Sequence, residues 1–396
     1  MRSANRNLKS EIVVIGGGVV GASIAYHLTE RGAKDVLILE RESEQGKGST
    51  GKATGGVRAQ FETGINIKMS LYSLDFFTNW DFNCEYEPRG YLFFATEDRE
   101  FEYLKRNVEF QKSLGVKNIE IIDKNTVSEI CSILNCEDIV GGSFGKHDGF
   151  INPLAVMKSF TQKASEKGAN IQFETRVLSI ETADGKIKAV NTNKGRIECE
   201  KVVLATGAWA KELAKTAGID LPVEPQKRQI VWAKSEKTFP ENLPMVIDIG
   251  SGFHFRPARD FTSNNPSKND EILFAYPDND EPSSFDTNFD ESFIEKVYEK
   301  AKHRSRFLYE TTPILEKCRA GLYENTPDHH AILGDCSVKG LYFANGFSGH
   351  GVMHSPATGK ALSEIILDGR SSFLDVSCLH LNRFEKGATL FETAFI

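Results

Sequence analysis

Residues 11–16, EIVVIG, form a short apolar run rich in β-branched side chains and stopped by glycine, the pattern of a strand buried on both faces. From Val19 to Glu30 the spacing changes to that of a helix, which Gly32 closes. Residues 35–40, DVLILE, repeat the buried-strand pattern, so strand, helix and strand fall within about 30 residues, the size of a βαβ unit. Residues 90–116 predict a strand followed by an amphipathic helix, and 152–169 predict a second helix. Residues 170–209 read as short strands separated by turns at Asp184-Gly185 and 193–195, the last strand, KVVLATG, running into glycine. Between 220 and 320, RQIVWAK and EILFAY read as strands, while the polar stretch 258–290 reads as surface loop. GLYFANG (340–346) is strand-like and PATGKALSEIILDG (356–369) helical. Buried strands alternating with helices place the chain in the α/β class.

Composition narrows this only a little. The 396 residues suffice for two ordinary domains or one large discontinuous one. A hydrophobic fraction of 40% with 26% charged residues is ordinary for a globular protein. The net charge of −7 argues against a nucleic-acid partner, which needs a basic surface. No apolar run approaches the roughly 20 residues that span a bilayer, so no transmembrane segment is expected. The first ten residues are polar and read as a frayed tail, not a signal peptide. Seven cysteines, an odd number without CxxC spacing, predict free thiols in a reducing compartment, with the cytoplasm as the expected location.

Chemistry first shows at residues 16–21, GGGVVG. Gly16 allows the tight turn out of the strand, Gly18 lets backbone approach a pyrophosphate, and Gly21 lets the helix pack closely on the strand. The helix N-terminus then offers free N–H groups to the phosphates. Glu40 closes the second strand about 20 residues on, where an acid reaches ribose hydroxyls. Gly207 in VVLATGAW and the glycines of ANGFSGHG (344–351) mark two further strand ends. Three such ends far apart in sequence predict one long ligand, for which FAD is better suited than NAD. No cysteine accompanies His350 at a metal-ligand spacing, and no metal is expected.

Five segments carry a family likeness: EIVVIGGGVVGASIAYHL, GSTGKATGGVRAQF, VVLATGAWAKELAKTAGIDLPVEPQKRQI, AGLYENTPDHHAILGD and ANGFSGHGVMHSPATGKALSEIILDG. With them the chain resembles the D-amino-acid-oxidase-like flavoprotein family, most nearly its sarcosine oxidase β-subunit and dye-linked proline dehydrogenase β-subunit group. The resemblance implies a three-segment, glutathione-reductase-like Rossmann domain for FAD, with an inserted substrate domain built on an antiparallel sheet. The FAD domain would span 9–84, 148–219 and 320–370, the substrate domain 85–147 and 220–319, and 371–396 would form a C-terminal extension.

The same resemblance implies the site. Gly16, Gly18, Val19, Val20, Gly21, Glu40 and Arg41 would hold the nucleotide half, together with Val177, Thr206, Gly207 and Trp209. Ser49, Thr50, Thr54, Gly55, Gly56 and Gly321 would pass beside the flavin. Gly346, Phe347, Ser348, Gly349, His350, Gly351, Val352 and Met353 would wall its far end, with Ser348 and His350 lining the ring. Arg58 would grip a substrate carboxylate as a bidentate guanidinium. Tyr323 would lie over the ring near the substrate, and His350 joins these two as a catalytic candidate. Asp328 and His330 would fix their loop, and His354 would simply begin the final helix. His254 or Phe255 would face the substrate.

Departures from the single-chain oxidases refine the expectation. Gly321 stands where those enzymes attach FAD to cysteine, and Cys318 is three residues earlier, so FAD is expected to bind non-covalently. Met353 replaces a carboxylate-holding lysine. Leu273 stands near the position of an oxygen-activating lysine, which favours a dehydrogenase over an oxidase. Asn152 stands where a second flavin would be anchored on histidine, with His147 a few residues away, and no covalent FMN is expected. The expected activity is FAD-dependent oxidation of a secondary or N-methylated amino acid (sarcosine, dimethylglycine or proline) by hydride transfer to flavin N5. Partner subunits or an electron-acceptor protein would accompany it. The alternatives are a peroxide-forming amine or 2-hydroxy-acid oxidase of the same fold, and a non-catalytic flavoprotein assembly factor.

Overall fold

The computed structural model describes residues 8–81, 84–258 and 269–392. Residues 1–7 of the expected N-terminal tail and 259–268 of the expected loop lie outside the described residues, but the end of that tail is not frayed: Leu8–Lys9 pairs in parallel with Ile197 and Glu198, and Ser10 is buried.

A six-stranded sheet runs in the order Ile332–Asp335, Leu341–Asn345, Lys201–Leu204, Ile12–Ile15, Val36–Leu39, Asn170–Gln172. All its neighbours pair in parallel except the first two. The buried strands alternate between two apolar cores. Ile12, Val14 and Ile38 face the helices Val19–Glu30 and Gly351–Asp368. Val13, Ile15, Leu37 and Leu39 face the other core, which Ala210–Thr216 and a four-stranded sheet contribute to. Parallel strands need both faces covered in this way.

A nine-stranded sheet forms the second layer system. It combines Tyr91–Ala95, Ile119–Asp123 and Gly141–Gly145 with Glu224–Lys234, Met245–Asp248, His254–Pro257, Glu271–Ala275, Thr312–Pro313 and Arg319–Asn325. Its pairings are antiparallel apart from one. Met245–Asp248 runs parallel to Tyr91–Ala95 and thereby stitches two distant stretches of chain into one sheet, so the expected antiparallel sheet is mixed. Arg319–Asn325 pairs with Glu224–Lys234 along its whole length, Arg228 opposite Gly321 and Gln226 opposite Tyr323.

Three local features differ from the sequence expectation. The helix Gly64–Asn79 was not foreseen, because Asn66, Ser70 and Ser73 are buried on it and blur its apolar stripe. The strand Gly141–Gly145 was hidden by its glycines; a Cβ on Gly142 would stand 2.4 Å from the Phe93 carbonyl oxygen, so glycine lets these strands approach. The final helix begins at Gly351 rather than at Pro356. Pro356 lacks the N–H that would bond Val352, and the Ser355 hydroxyl donates to that carbonyl instead, at 2.8 Å.

Candidate functional site

The chain leaving Ile12–Ile15 turns sharply before the helix Val19–Glu30. Gly16 holds φ +104°, and a Cβ there would stand 2.3 Å from the Ala205 carbonyl oxygen. At Gly21 a Cβ would meet the Gly16 carbonyl oxygen at 2.0 Å. Gly18 is different. Its backbone is ordinary, φ −66°, and a Cβ would meet only the Thr50 hydroxyl oxygen, at 3.3 Å. Protein packing makes a modest demand for glycine there, whereas a phosphate approaching the helix N-terminus makes a strong one.

A cavity of 610 Å³ opens in front of this helix. Its wall brings together Gly16, Gly18, Val19, Val20, Glu40, Arg41, Ser49, Thr50, Val177, Thr206, Gly207, Trp209, Gly351 and Val352. The Glu40 carboxylate is fixed at the strand end, accepting from Gly17 N at 2.9 Å and Glu42 N at 3.0 Å. Arg41 lies over the Trp209 ring at 3.6 Å, and Trp209 stacks on Phe285. Asn345 ties two strand ends, donating to Leu204 O at 2.7 Å and accepting from Thr206 N at 3.1 Å. The Thr206 hydroxyl and Glu324 Oε2 are buried without a hydrogen-bond partner. Orphaned polar atoms and a glycine cradle around a cavity of 610 Å³ fit a dinucleotide such as FAD.

A second cavity, of 150 Å³, shares Ser49, Glu324, Gly351 and Val352 with the first. Thr54, Gly55, Gly56, Arg58, Gly321, Tyr323, Phe347, Gly349, His350 and Met353 line it. Gly349 has φ +96°, and a Cβ on it would stand 2.5 Å from the Tyr323 ring. Gly21, Gly346 and Ser348 stand in neither wall. Gly346 backs onto Thr326, and the Ser348 hydroxyl engages the backbone of Thr326 and Gly346 at 3.4 and 3.3 Å.

Arg58 is only 3% exposed, lies over the Phe61 ring at 4.0 Å and donates to the Gln60 carbonyl. His350 meets the same ring edge-on at 4.8 Å. Burial, reinforced by Arg58 and His354, holds the His350 pKa well below its ordinary value, so the imidazole is neutral. His354 stands four residues further on, within the helix, and its Nε2 is 2.9 Å from Ser70 Oγ. The two histidines share a helical face, yet among the described residues no group of three His, Cys, Asp or Glu is arranged to hold a metal ion.

Several lining residues escaped the sequence reading. Arg228, Lys52 and Tyr91 stand in the smaller wall, and Glu324 stands in both, whereas Tyr276 belongs to the stretch 273–276 expected to shape the pocket and does line it. Burial pushes the Glu324 carboxyl up to about 7, partly offset by the Gly346 and Phe347 N–H groups. Of the pair expected to face substrate, His254 lines the cavity and Phe255 is buried in the core. Leu273 is buried in an apolar cluster with Trp232. Cys318 packs against the Trp232 backbone, and no cysteine stands in either wall.

A sequence model of the DAO family, described as FAD dependent oxidoreductase, matches residues 11–365. The chain belongs to this family. It is an FAD-dependent oxidoreductase. It is 30% identical to FAD-dependent oxidoreductase domain-containing protein 1 of Xenopus laevis, over 97% of this chain and 84% of that protein. It is 28% identical to the mitochondrial dimethylglycine dehydrogenase of Homo sapiens, over 96% of this chain but only 45% of the relative. Among solved structures, L-proline dehydrogenase from P. horikoshii superposes with a TM-score of 0.87 at 31% identity, covering 96% of this chain and 99% of that one. Among the described residues, no helix is long and apolar enough to cross a membrane.

Proposed function

We propose that this enzyme oxidises a secondary or N-methylated amino acid of the sarcosine, dimethylglycine or proline type. The observation that carries the reading is Arg58, buried beside Tyr323 and the neutral His350 in a cavity that shares wall residues with the larger one in front of the glycine turn. FAD, when bound, supplies the two-electron oxidation of a C–H bond next to nitrogen. The residues around 16–21, Glu40, 49–56, Val177, 206–209 and 349–353 would hold it. Gly321, which stands where the single-chain oxidases carry their linking cysteine, lines the smaller cavity, and this supports non-covalent binding.

Arg58 would bind the carboxylate through paired N–H donors and so fix the reacting carbon. Tyr323 and His350 would shape the pocket around it. A neutral imidazole next to a guanidinium adds no second positive charge to repel a bound amine. The names of the proline dehydrogenase and dimethylglycine dehydrogenase relatives favour this substrate class. Seven free cysteines suit a reducing compartment such as the cytoplasm. An electron-acceptor protein or partner subunits would complete a dehydrogenase.

One observation favours the second reading, a peroxide-forming oxidase. Leu273 leaves no lysine on its strand, but Lys52 and Arg228 place cations in the cavity wall, where they would stabilise superoxide electrostatically. Both readings are tested by anaerobic mixing of the flavoprotein with sarcosine, dimethylglycine and proline. Bleaching of the flavin absorbance is expected; a flavin that none of the three reduces would sink the amine reading. Re-admitting air with peroxide assay then separates slow dehydrogenase reoxidation from rapid oxidase turnover.

A further inference from the structure

The smaller cavity carries more positive charge than a single carboxylate balances. Lys52, Arg58 and Arg228 stand in its wall, and Glu324 is its acidic lining residue. Behind the wall, Arg319 donates to the Lys52 and Ala53 carbonyls at 3.2 and 3.3 Å, and Arg256 donates to the Thr54 and Pro257 carbonyls. The larger cavity mixes signs instead, with Glu40, Glu42, Glu212 and the shared Glu324 against Arg41 and Arg176. The surplus therefore belongs to the substrate side, away from the cradle for phosphates.

Arg228 is the cation that the amine reading leaves without a role. Among the described residues its hydrogen bonds both leave from Nη1, to the Lys227 and Asp278 carbonyls at 3.1 and 3.4 Å. Its Nε is buried without a partner, and the two acids that act on it, Asp278 and Glu281, are themselves paired with Lys296 and Lys227. The guanidinium lies over the Tyr323 ring at 5.5 Å, and Arg58 acts on that same tyrosine from its own position in the wall. Lys52 is half-buried, and the acid that acts on it, Asp286, is itself paired with Lys227 at 3.0 Å. A partly buried guanidinium bonded only to carbonyls retains donors and charge for an anion.

We propose that the substrate bears a second acidic group and that Arg228 receives it. The preferred substrate is then a secondary or N-methylated dicarboxylic amino acid, its α-carboxylate on Arg58 and its distal carboxylate on Arg228, with Lys52 adding to the field. This rests on the amine reading above and narrows it.

The test uses the flavin-loaded enzyme and two substrate sets. Sarcosine and proline form one; N-methylaspartate, N-methylglutamate and iminodiacetate form the other. A binding arm uses thiodiacetate against (methylthio)acetate, which lack the oxidisable amine, followed by the shift of the flavin spectrum. Wild type should favour diacids over monoacids by about tenfold or more, in kcat/KM and in Kd alike. Arg228→Met should bring both ratios close to one, and Arg228→Lys should restore part of them. The flavin content of each variant checks that it folds. A wild-type ratio near one, or a ratio that survives Arg228→Met, overturns the inference while monoacid turnover leaves the amine reading standing. A flavin that none of the five amines reduces ends both. Should Arg228 instead serve the cofactor, its removal would weaken FAD binding and leave the diacid ratio unchanged, which also overturns the inference.

Discussion

Asp328 and Arg383 form a buried ion pair, with Nε 2.8 Å from Oδ2 and both side chains 2% exposed. Arg383 also donates to the Leu379 and His330 carbonyls, each at 2.8 Å, and Asp328 accepts from Leu390 N at 3.1 Å and His330 N at 3.2 Å. The C-terminal stretch thus clamps the loop that follows Tyr323. Removing one partner of such a pair leaves a buried charge and costs about 3–5 kcal/mol. Arg383→Met is therefore expected to lower stability by about that much in denaturant unfolding. A double variant, Arg383→Met with Asp328→Asn, removes the unpaired charge while leaving an acceptor for the Leu390 and His330 N–H donors and should recover much of the loss. Burial raises the Asp328 pKa, but Arg383 and the N–H donors outweigh it and hold the group below its usual range. The pair's stabilisation is thus present above the unfolded carboxyl pKa, near 4, and is lost as pH falls through the lower folded value.

Gly16 and Gly18 should fail in different ways when each is replaced by alanine. Gly16→Ala forces a side chain into φ +104° and against the Ala205 carbonyl. The backbone strain alone is about 1–3 kcal/mol, so the apoprotein itself should melt earlier or express poorly. Gly18→Ala meets only the Thr50 hydroxyl oxygen. It should fold with little change yet bind FAD about tenfold or more weakly, since ~1.4 kcal/mol of lost affinity is tenfold. Apoprotein melting with FAD titration for each variant separates the two; equal effects on both readouts would contradict this division.

The parts of this site that sequence made visible are those built by local rules. Strand, glycine turn and helix follow one another within residues 12–30, and the ends at Gly207 and Gly351 meet them because parallel strands order their carboxyl ends along one edge. Glycine density in ANGFSGHG did not reveal direction: Gly349 faces Tyr323, whereas Gly346 and Ser348 face Thr326. Arg228 and Glu324 were invisible for another reason. They reach the cavity through the pairing of Glu224–Lys234 with Arg319–Asn325, and nothing in either segment announces that register. A polar residue in an edge-to-edge pairing of distant strands reads locally as a surface position.

Glu324 should give the stability curve a slope between pH 4.5 and 7. Burial raises its folded pKa to about 7, above the unfolded value of 4.5. The unfolded chain ionises first, so the native state holds more protons in this window and stability falls as pH rises through it. Below the window the effect vanishes, and above it the full loss persists. Asp148, buried and pushed up to about 6, contributes a similar slope of its own. Glu324→Gln should therefore flatten the curve only in part and should be more stable than wild type above pH 7. Melting temperatures across pH 4.5–8 for the two proteins provide the measurement, and parallel curves would exclude an ionisable Glu324 at this pH.

Arg58 should control substrate binding without controlling cofactor binding. Its guanidinium is sandwiched by packing, 4.0 Å from the Phe61 ring and 5.5 Å from that of Phe93, in the wall of the smaller cavity only. Lysine keeps the charge but loses the forked donors and the stacking plane. A hydrogen bond to a charged group contributes about 1.5–3 kcal/mol, so Arg58→Lys should reduce kcat/KM by about tenfold to a hundredfold. The loss should appear mainly in KM if the carboxylate is held equally in the ground and transition states, and in kcat if the grip also aligns the reacting carbon. FAD content and the spectrum of the oxidised flavin should match wild type. A variant that turns over normally would remove Arg58 from the substrate site, and one that arrives without flavin would move it to the cofactor site.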